Sequence, residues 1–125
     1  GGVILINLAS QLKISGSDTE KAGRQVLQTA LKQPFMQIMK NAGLNADALL
    51  AKVEDAKDGQ GINVMQPEAG LVDLKQAGVV DPVRVTKEAI LNSVSIAATA
   101  ITMGALVVDL PEEKPAPDMS GMGMM

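Results

Sequence analysis

Apolar residues recur at helical spacing through the first half of the chain. Residues 3–13 carry them on one side, with polar positions on the other, and this favours a helix over a strand. Ser17 and Glu20 then have the Ser-x-x-Glu spacing of a capping box, which predicts the start of a second helix. We expect Pro34 to kink that helix or to start a new one ending near Ala42, because a proline ring clashes with the carbonyl four residues back.

A third helix and a short hairpin are predicted for the middle of the chain. Asn45 is a suitable cap for a helix over residues 46–56. After a glycine-rich connection, residues 62–65 and 69–72 have the composition of two short paired strands. Residues 71–77 alternatively continue as a helical turn.

The strongest helix signal lies in the last third of the sequence. Asp81 offers a capping oxygen and Pro82 a preset φ, so a long helix is predicted to start there and to run to Leu106. Its residues are apolar or small, which predicts a buried helix against which the others pack. The apolar run 94–108 is shorter than the ~20 residues that span a bilayer. The β-branched residues 107–110 predict a final edge strand that needs a partner, for which another chain is a candidate.

The two ends of the sequence predict a domain within a larger protein. Residues 1–110 are interpreted as one domain, and residues 111–125, rich in Pro, Gly and Met, as a disordered tail. The flexible Met side chains of such a tail would make loose apolar contacts with non-native chains, or the tail is an extension without a selected function. The chain begins without Met, inside an apolar pattern, so we expect it to be a C-terminal fragment.

Composition excludes several classes of function. The net charge is −3, with one Phe and no Trp or Tyr, and this argues against a nucleic-acid surface. The absence of Cys and His removes disulfides, the usual zinc sites and an imidazole base. A carboxylate at a helix start, as at Asp81, suits a ligand with hydroxyl groups better than a bare phosphate, although a plain capping role is the simpler interpretation.

Five groups of residues match one known family in order and spacing. They are Gly1-Gly2-Val3; Pro34 with Gln37-Ile38 and Asn41-Ala42-Gly43; Gly61-Ile62-Asn63-Val64; Gly78-Val79-Val80-Asp81-Pro82 with Val85-Thr86; and Asp109-Leu110-Pro111 before the Gly/Met tail. Together they resemble the C-terminal part of a GroEL-type (group I) chaperonin. The resemblance implies a mainly α fold: a helical bundle forming the second half of an equatorial domain, with a short β-hairpin and a C-terminal edge strand.

The same resemblance implies an ATP cofactor and a set of residues on its nucleoside side. By this resemblance, Asn63 and Val64 would face the adenine, and Ile38 and Val79 would line its apolar slot. Asp81 would accept hydrogen bonds from the ribose hydroxyls, and Gly1 or Gly2 would let the backbone approach the sugar. Three features depart from the family pattern: Ile62 where Tyr is common, Val64 and Met65 in place of alanines, and about two extra residues near 74–77. The bulkier pair, Val64 and Met65, would change the fine shape of the adenine pocket.

The function implied is that of an ATP-dependent chaperonin that assists protein folding. Its phosphate-binding loop and magnesium ligands would lie outside this segment, so the segment alone is not expected to hydrolyse ATP. Expected partners are identical subunits in a stacked double ring, a co-chaperonin and unfolded polypeptides, without nucleic acid or membrane. The expected location is the cytoplasm of a bacterial-type cell, with an organelle matrix as the alternative. Two other hypotheses are a structural oligomerisation module that no longer binds nucleotide and a small helical enzyme.

Overall fold

A computed structural model describes residues 1–109 of the chain. They form two compact units, one from Gly1 to Thr86 and one that begins at Lys87. In chain order the elements are α1 (Val3–Gln11), α2 (Asp18–Asn41), α3 (Ala46–Glu54), β1 (Gln60–Ile62), a 3-10 turn (Pro67–Ala69), β2 (Leu71–Asp73) and α4 (Val83–Ile101). The predicted mainly α fold with a short antiparallel hairpin is confirmed.

The core of the first unit is built from one face of each of its first three helices and from β1. Phe35 and Met39 lie one turn apart on α2 and are completely or almost completely buried. Burial of each such side chain contributes roughly 1.5–3 kcal/mol. The cluster consists of Val3, Ile6, Phe35, Met39, Ala46, Val53 and Ile62.

Helix α2 begins as the sequence predicts and runs on through the proline at which a kink or a new helix was expected. The Ser17 amide donates to Glu20 Oε2 at 2.8 Å, and the Glu20 amide donates to Ser17 Oγ at 3.4 Å, so the capping box is present. The helix then continues through Pro34 to Asn41. The prediction of a new helix at Pro34 was therefore wrong. The packing of the turn after the proline, at Phe35 and Met39, outweighs the single hydrogen bond that a proline removes.

Helix α3 is fixed at its start by a cap and along its side by an ion pair. Asn45 Oδ1 accepts a hydrogen bond from the Ala48 amide at 3.1 Å, which confirms the predicted cap. Lys32 Nζ of α2 lies 2.6 Å from Glu54 Oε1 at the end of α3. The ion pair joins the two helices beside the core.

The predicted hairpin forms, but its two strands lie further apart in the chain than expected. Gln60 pairs with Asp73, Gly61 with Val72, and Ile62 with Leu71. The predicted strands lay closer to the centre of the segment, but residues 63–70 are used by turns and by the 3-10 segment. After β2 the Ala77 amide donates to the Asp73 carbonyl at 2.9 Å, so a turn follows the strand.

Helix α4 differs most from its prediction. It ends at Ile101 and not at Leu106, and none of its residues is buried. Within the described part of its own unit, from residue 87 to 109, no second helix or strand is available to cover it. Residues 107–109 have no regular structure, and Leu110 and the predicted tail lie outside the described residues, so the edge strand stays a prediction. No helix within residues 1–109 is long and apolar enough to span a membrane.

Candidate functional site

Three of the predicted site residues meet at one place in the first unit. The Gly1 nitrogen lies 3.6 Å from Asp81 Oδ2. A Cβ atom at Gly1 would lie 2.9 Å from Ile38 Cδ1 and 3.5 Å from the same Asp81 oxygen. The segment before α1, the second half of α2 and the segment before α4 therefore converge, although they are far apart in sequence.

Gly2 has a different role from Gly1. It has φ of +87°, and a Cβ atom there would lie 2.8 Å from the backbone nitrogen and Cα of Phe35. Only glycine adopts this conformation without strain and allows such an approach. Gly2 thus packs the start of α1 on α2, and of the two glycines proposed to approach a sugar, Gly1 is the one beside Asp81.

The Asp81 carboxylate is accessible and is not the cap of α4. The carbonyl of Pro82 accepts the first helical hydrogen bonds, from Val85 at 3.1 Å and Thr86 at 3.3 Å, which places Pro82 at the capping position. The capping role predicted for Asp81 was therefore wrong by one residue. Its side chain is 52% exposed, so its oxygens are available to an external donor.

Asn63 and Val64 lie in the connection between the two strands. Asn63 Oδ1 accepts a hydrogen bond from the Met65 amide at 3.1 Å, and its backbone carbonyl accepts one from Gln66 at 3.0 Å. The first bond closes an Asx turn and the second a β-turn, so the Asn63 side chain has a structural role. Val64 is half-buried against the core cluster, and Ile38 contacts the same cluster.

Val79 is positioned by the end of the hairpin. Its amide donates to the Leu74 carbonyl at 2.8 Å, and the Leu74 amide donates to the Gly59 carbonyl at 3.0 Å. The side chain is half-buried. Val79 thus belongs to the unit that holds Gly1, Ile38 and Asp81, with the hairpin as its support.

Gly61 is a residue whose importance was not predicted. A Cβ atom at this position would lie 2.7 Å from Leu74 Cδ1 and 2.8 Å from Val3 Cγ2. The strand therefore packs directly on the start of α1 and on the segment after β2. A glycine inside a strand is the signal that indicates such a close approach.

The TCP-1/cpn60 chaperonin family matches the chain over residues 1–111. The chain belongs to this chaperonin family.

This membership supports a chaperone role for the protein in general terms, together with oligomeric assembly and binding of substrate. The family resemblance read from the sequence is confirmed at this level. All seven candidate residues lie within the matched range and within the first unit. Within residues 1–109 of this chaperonin chain, no group of three or more carboxylates is placed to hold a metal ion.

Proposed function

We propose that this chain is the C-terminal part of the equatorial domain of a group I chaperonin subunit, and that it supplies the nucleoside side of an ATP pocket. The observation that carries the proposal is the meeting of Gly1, Ile38 and an exposed Asp81 carboxylate at one place. The order of the matching segments over residues 1–111 supports it as well.

The chemistry of these three residues suits a nucleoside. The Asp81 oxygens accept hydrogen bonds from the two ribose hydroxyls, and a bond to a charged group contributes about 1.5–3 kcal/mol. Ile38 offers an apolar edge to the flat base, and Gly1 has no side chain to hinder the sugar. When bound, ATP would supply a phosphoanhydride bond for hydrolysis. Its phosphates and magnesium would be held by residues outside this segment.

Asn63 and Val64 complete the proposed adenine side. The turn bond to Met65 engages the oxygen of the Asn63 side chain, which leaves its amino group as the donor for a ring nitrogen. Val64, half-buried at the rim of the core, and Val79 supply the apolar surface. Every group in this proposal recognises the nucleoside, and none performs phosphoryl transfer.

The test is a titration of the full-length subunit with ATP and with 2′,3′-dideoxy-ATP. We expect Asp81→Ala to weaken ATP binding about 10- to 150-fold, which corresponds to a net loss of about 1.5–3 kcal/mol, the contribution of one hydrogen bond to a charged group. The same variant should bind the dideoxy nucleotide as the unaltered protein does. Asp47→Ala, which removes an exposed carboxylate from the first turn of α3, is the matched control and should bind both normally. Equal weakening for both nucleotides would refute the ribose contact.

A structural module without nucleotide binding is the second candidate. The observation in its favour is that Asn63 and Val64 already serve the turn and the core. On this alternative, the full-length subunit assembles normally but shows no heat of binding with ATP in calorimetry. Binding of ATP at micromolar concentration would exclude it.

The proposed setting is a stacked double ring of identical subunits in the cytoplasm or in an organelle matrix. Its partners would be a co-chaperonin and unfolded polypeptides, and residues 107–110 would add a strand to a neighbouring subunit. Electron microscopy of the full-length protein tests the ring. Single rings, or rings without strand pairing at residues 107–110, would contradict this part of the proposal.

A further inference from the structure

The turn between α3 and β1 contains a reactive dipeptide that has no part in the proposed nucleoside site. Asp58 is the only aspartate in the sequence that is followed by glycine. It is exposed, and Gly59 has φ of +85°. The turn is closed by a hydrogen bond from the Gln60 amide to the Lys57 carbonyl at 3.0 Å.

The surroundings of Gly59 leave its nitrogen and the space beside it open. Among the hydrogen bonds of residues 1–109, none has the Gly59 amide as donor. No atom lies within 4 Å of the place where a Cβ would stand at Gly59. A glycine nitrogen is also the least hindered backbone nucleophile, because no side chain shields it.

The other aspartates of the first unit lack this combination. The amide after Asp55 donates to the Val53 carbonyl at 3.2 Å, and the amide after Asp73 donates to the Gly59 carbonyl at 3.0 Å. The amide after Asp47 donates to Asn45 Oδ1 at 3.1 Å. Asp18 precedes a threonine, whose side chain shields the nitrogen, and Asp81 precedes a proline, which has no N–H.

We propose that Asp58 is a site of spontaneous isomerisation to isoaspartate, and therefore a substrate for enzymes that methylate isoaspartyl carboxylates. The Gly59 nitrogen loses its proton and bonds to Asp58 Cγ, and the carboxyl oxygen leaves as water. Water then opens the five-membered imide. Attack at Cγ restores aspartate, whereas attack at the backbone carbonyl carbon gives isoaspartate. One water is lost and one is regained, and no oxidant or reductant takes part.

The product would alter the turn that aligns the hairpin. In isoaspartate the main chain runs through the former side-chain carbon, which adds one methylene between Lys57 and Gln60. The bond that closes the turn and the bond from the Leu74 amide to the Gly59 carbonyl both depend on the original spacing. We therefore expect faster hydrogen exchange at the Gln60 and Leu74 amides in the isomerised protein.

The experiment uses the full-length protein, aged at neutral pH and then treated with an isoaspartyl methyltransferase and labelled S-adenosylmethionine. Peptide mapping should find label in the tryptic peptide 58–75, increasing with time. Asp58→Glu keeps the charge but disfavours the ring, and should lose the label. Asp55→Glu is the matched control, because the amide after Asp55 is already hydrogen-bonded to the Val53 carbonyl. This variant should keep the label in peptide 58–75.

Two results would overturn the proposal. One is a peptide 58–75 that stays unlabelled after ageing in the unaltered protein. The other is label in that peptide that persists in Asp58→Glu. Gly59→Ala provides a second check, since a Cβ beside the attacking nitrogen should slow labelling. Because none of these measurements uses ATP, their failure is independent of the proposed nucleotide function.

Discussion

At the residue scale, the adjacent glycines Gly1 and Gly2 have different roles, one beside the proposed ligand site and one in helix packing. Gly1 lies against Ile38 and Asp81 and leaves a polar oxygen accessible beside an apolar methyl group. Gly2, with its left-handed backbone, allows α1 to start directly on the backbone of α2. A side chain at the first position would narrow the proposed ligand site, whereas a side chain at the second would push the two helices apart.

Gly2→Ala should destabilise the packing of α1 on α2. The left-handed conformation alone costs a residue with a Cβ roughly 1–2 kcal/mol, and the 2.8 Å contact with Phe35 adds to this cost. Gly43→Ala is the control, because Gly43 has φ of +73° but open space around it. Hydrogen exchange of the α1 amides in full-length protein should increase strongly in the first variant. Equal hydrogen exchange of the α1 amides in both variants would show that the Phe35 backbone leaves room for a side chain at position 2.

At the element scale, the sequence predicted local features such as helix caps well, but not the features that depend on tertiary packing. The caps at Ser17 and Asn45 depend on residues three positions away, so a sequence shows them directly. The register of the hairpin depends on how β1 packs on Val3 and Leu74, which no short pattern encodes. Of the two outcomes expected at Pro34, a kink or a new helix, the new helix was wrong for the same reason. Local propensity favoured it, and burial of the following turn overrode it.

The capping box of α2 should make the start of this helix sensitive to acid. The Ser17 amide and then the Ser17 hydroxyl, by bonding the charged carboxylate, lower the pKa of Glu20 below its ordinary value of 4.5. Because the folded-state pKa is depressed, this stabilisation is fully present above pH 4.5 and is lost as the pH falls through the folded-state pKa. Hydrogen exchange of the first-turn amides should therefore accelerate in that window.

Glu20→Gln is the matched variant for this prediction. Glutamine keeps an oxygen that accepts from the Ser17 amide, but it does not titrate. Its first-turn exchange should lack the additional acceleration seen for the glutamate in acid. Parallel behaviour of the two proteins would mean that another group controls the acid response.

At the scale of the whole molecule, the sequence predicted the family and the fold class, but not where α4 would be covered. Apolar composition indicates that a helix is buried somewhere, not which surface buries it. In the described structure Leu91 and Val94 are each 51% exposed and Ile101 is 84% exposed. The candidate site shows a similar limit. Asp81 was singled out by its place before a helix, whereas its meeting with Gly1 and Ile38 depends on three distant segments.

The 125-residue chain expressed alone should lack a cooperative thermal transition. The apolar surface of α4 has no cover within its own unit from residue 87 to 109, so little of the hydrophobic stabilisation of this helix is realised. Circular dichroism should show a gradual loss of helix, and a dye such as ANS should bind. The full-length subunit is the control. A sharp melt of the short chain without dye binding would contradict the expectation.

Pro34 separates the part of α2 that enters the core from a part without buried residues. Both buried residues of α2, Phe35 and Met39, come after Pro34, and none comes before it. Since proline has no amide hydrogen, the Ala30 carbonyl lacks its usual donor from within the helix. The upstream turns should therefore fray and re-form while the downstream turns remain closed. The part of α2 after Pro34 would stay packed in the core. The part before it would adapt its conformation to a neighbouring molecule without disturbing that core.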